Sequence, residues 1–196
     1  TIFGHWFNLR GRTHPTALPS LAFSPSPSRT MSDVFDSLRR HARQPAAMLD
    51  EMIEHFRSGR HAMELFEARK MRVRHDLGLP LVTAEPEPNK PDEIERQLEV
   101  GLLAACREAG LMLLADGQVG QGWMYLRPSG DVELAREQLA KIEITETNYD
   151  EMVQVLLHEG VDIGRGYRAV LDRQGTCNAI TLYDQALVQR SKADRR

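Results

Sequence analysis

Apolar residues recur at spacings of three and four through most of this chain. Val34, Phe35, Leu38 and His41 share one helical face, and Ser32 or Asp33 stands where a cap for that helix belongs. A second helix is predicted from Pro45, whose fixed φ suits a first turn, through Met48, Leu49, Met52, Ile53 and Phe56. Residues 60–77 place Met63, Leu65, Phe66, Met71 and Val73 among many charges and stop at Gly78 and Pro80. The cleanest stripe, Ile94, Leu98, Leu102, Leu103, Cys106, Gly110 and Leu113, predicts one long amphipathic helix. Residues 131–141, 148–159 and 163–174 each predict a further helix, the first capped by Asp131. Only 142–147 (IEITET) alternates as a strand would, and no other segment offers it a partner, so it reads as an extended connector. The expected fold is all-α, with about eight or nine helices from residue 32 on.

Two segments interrupt this pattern. Residues 1–31 hold four prolines, many Ser and Thr, three arginines and no carboxylate; they are read as a disordered extension, with Met31 as the expected true start. The stretch TAEPEPNKPDE places a stiff, wet, proline-rich linker near 80–92. Residues 32–190 then form one helical repeat-like domain and 191–196 a polar tail. Because a solenoid needs a capped end, the abrupt ending SKADRR leaves open a truncated piece of a longer helical-repeat protein.

Composition narrows the function classes. With 41% hydrophobic and 27% charged residues, the chain can bury one ordinary core. The net charge is −3, and since the first 31 residues contribute +3, the remainder carries −6. That sign argues against a nucleic-acid partner, which requires clustered cations to release counterions. No apolar run approaches the roughly 20 residues of a membrane span, so no membrane partner is expected. Cys106 and Cys177 lie far apart, which fits a reducing cytoplasm better than a disulfide scaffold.

The glycines of DGQVGQGWMYLRPSGD, residues 116–131, invite a phosphate-binding reading. A dinucleotide loop must leave a strand and open a helix, whereas Gly117 follows an amphipathic helix, and no Lys-Ser/Thr pair follows to make a Walker loop. The run is therefore read as a corner between helices, and no cofactor is expected.

The longer run CREAGLMLLADGQVGQGWMYL resembles a tetratricopeptide repeat. Gly110 falls at the small position of the first helix, Gly117 at the turn, and Gly122 at the small position of the second. MIEHFRSGRHAMELF, turning at Gly59, and VLLHEGVDIGRGYRAV, turning at Gly160, echo it at unequal spacing. The resemblance covers roughly half of the chain. It implies a degenerate right-handed helical hairpin array, or failing that an irregular helical bundle, whose concave face holds a protein or peptide and carries out no chemistry.

Three clusters are candidates for a site. EARKMRVRHDLG offers Arg69, Arg72 and Arg74 as a basic patch able to hold a carboxylate-rich peptide; Trp123, Tyr125 and Arg127 would join it if the binding face lies there. A rival reading makes the protein a small thiol enzyme, with Cys177 in GTCNAIT as nucleophile near a helix N-terminus and His158 as its base. The plainer alternative buries Cys177 as a small apolar residue, as the stripe predicts for Cys106. For a metal, His55 and His61 lack the spacing that puts two imidazoles on one helical face, so none is expected.

Overall fold

The computed structural model describes residues 31–82 and 89–183. The expected disordered extension up to residue 30, the middle of the proline-rich linker at 83–88 and the polar tail lie outside them. The described residues form eight α-helices and no strand: α1 (Met31–Arg40), α2 (Pro45–Ser58), α3 (Ala62–Asp76), α4 (Asp92–Ala115), α5 (Val119–Leu126), α6 (Val132–Leu139), α7 (Tyr149–Val153) and α8 (Ile163–Leu182). The protein is all-α.

Local chemistry accounts for four of the helix starts. Pro45 occupies the first turn of α2, where its missing N–H costs nothing. Asp92, Glu93 and Glu95 crowd the first turn of α4, placing negative charge against the positive end of its dipole. Asp131 caps α6 by accepting from the Leu134 amide at 3.3 Å, and Asp162 caps α8 by accepting from the Arg165 amide at 3.0 Å. Ser32 and Asp33, expected ahead of the first helix, lie within α1.

The corner between α2 and α3 departs from expectation. Gly59, the expected turn residue, keeps an ordinary right-handed φ of −78°, and it is Arg60 that adopts the left-handed value of 57°. A side chain rarely tolerates that region. Here the strain is offset by anchorage, since the Arg60 guanidinium reaches Asp116 at 2.6 Å and donates to the Met112 carbonyl.

The core runs along the long helix α4. On one side Ala105, Cys106, Ala109 and Leu113 pack with Ala62 and Phe66 of α3 and with Tyr125 of α5. On the other side Leu114 joins Val119, Trp123 and Leu126 of α5, Ala135 and Leu139 of α6, and Met152, Val155, Leu156 and Val161 beyond them. Where α4 crosses α5 the backbones nearly touch. A Cβ at Gly110 would lie 2.9 Å from the Gly122 carbonyl oxygen, and one at Gly122 would lie 3.0 Å from the Leu114 nitrogen. Only glycine fits such an approach.

Past α7 the chain widens into a π-helical turn, Gln154–His158, closed by the Glu159 amide donating to the Gln154 carbonyl. Helix α8 is not straight. Gly175 interrupts it at φ 80° and ψ 173°, a conformation open in practice to glycine alone. The Tyr167 hydroxyl donates to the Ala179 carbonyl at 3.1 Å, although twelve residues of straight helix would set them roughly 18 Å apart along the axis. The two halves therefore bend back on one another, with Ile163 and Leu182 against the same small cluster around Leu157 and Val170.

Candidate functional site

An open cleft of about 380 Å³ lies between the 144–149 segment and the first half of α8. One wall is the stretch the sequence marked as an extended connector, and it forms no strand. It is stiffened locally: the Asn148 side chain accepts from the Thr145 amide at 2.8 Å and donates to the Glu143 carbonyl at 2.9 Å. The other wall is a face of α8 carrying Arg165, Arg168, Ala169, Asp172 and Arg173, positions that align at three- and four-residue steps.

Arg165 locks the walls together. Its guanidinium donates to the Leu139 and Ile142 carbonyls, each at 2.6 Å, satisfying acceptors left over at the end of α6. Arg173 lies 4.4 Å over the Tyr149 ring, whose hydroxyl accepts from the Gln174 amide at 3.1 Å. Arg168 is exposed beside them. Among the described residues none of these three arginines has a carboxylate partner. Arg57, Arg60, Arg69, Arg72, Arg107, Arg127 and Arg136 all do.

The residues singled out from the sequence stand elsewhere. Trp123 and Tyr125 are buried, at 9% and 7% exposure, in the two clusters flanking α4. Tyr125 meets Phe66 edge to face at 5.2 Å, and burial, helped by Glu67, pushes its hydroxyl up to about 12. Arg69 pairs with Glu108 at 3.0 Å, Arg72 with Asp50 at 2.8 Å and also with Asp76, and Arg127 with Glu159 at 3.3 Å. Arg74 is buried at 3% exposure and donates to the Pro80 carbonyl. The cluster thus ties α3 to its neighbours. Gly117 turns between α4 and α5 at φ 76°, and Gly160 leads into α8 at φ 84°.

Cys177 is exposed in the first turn after the Gly175 break, where the plainer reading expected burial. His158 lines a smaller hollow of about 230 Å³ with Gln174, Asn178 and Thr181, and Cys177 is not part of that lining. Cys106 is buried, and burial raises its thiol to about 11. The His55 and His61 rings lie 6.4 Å apart, and no group of three or more His, Cys, Asp or Glu among the described residues could hold a metal ion. No helix among the described residues is long and apolar enough to cross a membrane.

The cleft arginines and Tyr149 were missed in the sequence. A signal was present, because Arg165, Arg168 and Arg173 fall on one helical face, but nothing local reveals that the connector folds against that face. No protein-family model, no curated protein and no solved structure matches the chain.

Proposed function

We propose that this chain is a non-catalytic interaction module of tetratricopeptide-like helical hairpins that holds a segment of a protein or peptide partner. The observation that carries this reading is the cleft along α8, whose walls are fixed in advance by Arg165 and Asn148. A preformed recess spares a partner the entropy of ordering it. The close α4–α5 crossing at Gly110 and Gly122 supports the hairpin arrangement. A cytoplasmic location rests on the two unpaired cysteines.

The test is a peptide-display selection on the full chain, followed by amide-shift mapping of the strongest binder. Shifts at residues 144–149 and 165–173 are expected. Shifts confined to other surfaces, or no binder at all, would remove the reading.

A further inference from the structure

We propose that the cleft selects an acidic peptide, with Arg168 and Arg173 receiving its carboxylates; this rests on the interaction reading above. Charge complementarity argues for it. From α2 to α6 the guanidiniums named above pair with carboxylates across helices or along them, the geometry in which a guanidinium binds most strongly. In the cleft the pattern stops. Arg165 is anchored by two carbonyls, which hold its geometry and leave its full charge in the wall. Arg173 is steadied by the Tyr149 face and keeps its N–H groups free of any carboxylate among the described residues. Arg168, exposed between them, is likewise unpaired.

Two acids share the lining, Glu146 and Asp172, and neither forms an ion pair with these arginines. They leave the cleft with a single net positive charge, which disfavours a dense polyanion and suits a chain of spaced carboxylates. A carboxylate can accept amide N–H groups of an extended peptide, while the guanidiniums, planar and able to donate two parallel hydrogen bonds, match carboxylate side chains. The occupant is accordingly an extended segment with Asp or Glu at intervals, not a nucleic acid.

Fluorescence anisotropy on the full chain decides this. Two pools of fluorescein-labelled decapeptides are compared, one drawing each position from Asp, Glu, Leu, Tyr and Ser, the other with Asn and Gln in place of the acids. The acidic pool is expected to bind at least about tenfold tighter, and more weakly as salt rises. Arg168→Gln with Arg173→Gln should lose roughly that tenfold, while Arg40→Gln changes nothing. If the double variant melts at a lower temperature, Arg168→Gln alone decides, because Arg168 holds no stacking contact. Equal binding of both pools at the cleft would overturn the acidic preference and leave the interaction module standing; no binding by either pool would overturn both. Equally tight binding of a labelled oligothymidylate would overturn the peptide in favour of a general polyanion site.

Discussion

The Glu151 carboxylate accepts a hydrogen bond from the Gly120 amide at 2.9 Å, so an anion from α7 sits at the N-terminus of α5. The glycine run that resembles a phosphate cradle in the sequence already receives a negative charge from within the chain. The same contact joins two elements far apart in sequence, and it complements the free amides and dipole of a short helix.

Replacing Glu151 with Ala should therefore lower stability by about 1 kcal/mol, and Glu151→Gln by roughly half as much, since the amide oxygen still accepts but the charge is gone. Urea unfolding at low salt would measure both. An unchanged midpoint for Glu151→Ala would show that the contact contributes nothing.

The α4–α5 crossing gives a sharper contrast. Gly110→Ala and Gly122→Ala each force a Cβ to within 3.0 Å of backbone atoms, and each should cost about 1–3 kcal/mol despite alanine's better helix propensity. Gly164→Ala meets nothing closer than 3.9 Å and should be neutral or gain up to about 0.5 kcal/mol. Thermal unfolding of the three variants should separate the pair from the third.

Burial sets an alkaline limit on stability. The Cys106 thiol is raised from 9.0 to about 11 and the Tyr125 hydroxyl from 10.0 to about 12, so the unfolded chain ionises first at each position. Their stabilisation is complete below pH 9 and is lost as pH rises toward 11 and 12, an effect of order 2 kcal/mol for Cys106. Cys106→Ala should be less stable at neutral pH yet show a shallower decline between pH 9 and 11. A parallel decline in both proteins would contradict this.

The two thiols should also separate in reactivity. Iodoacetamide at pH 8 is expected to modify exposed Cys177 and spare buried Cys106 in the folded protein, and to reach both in denaturant. Peptide mass mapping would read the sites. Fast modification of Cys106 would mean that the α3–α4 layer opens readily.

What could be read from the sequence was whatever local chemistry settles. Pro45 and Asp131 mark helix starts through geometry within a few residues, and three glycines mark one hairpin, Gly110 and Gly122 because two backbones approach there and Gly117 because the turn takes a φ of 76°. What could not be read depended on partners distant in the chain. Helix α5 has eight residues and is enclosed by α4, α6 and α7, so nothing local reveals that Trp123 and Tyr125 face inward. Arg69 and Arg72 look like a free basic patch until folding brings Glu108 and Asp50 beside them. For the cleft the difficulty is the same: Arg173 acquires its meaning from Tyr149, on another element.

The break at Gly175 has a mechanical consequence. Because the second half of α8 is held by the Tyr167–Ala179 hydrogen bond and a small apolar cluster, a pulling force applied beyond it would first peel that half away as a separate step. The Arg165 anchor and the cleft lie before the break. Detachment at that break, like tearing along a perforation, would leave whole the part proposed to grip a partner.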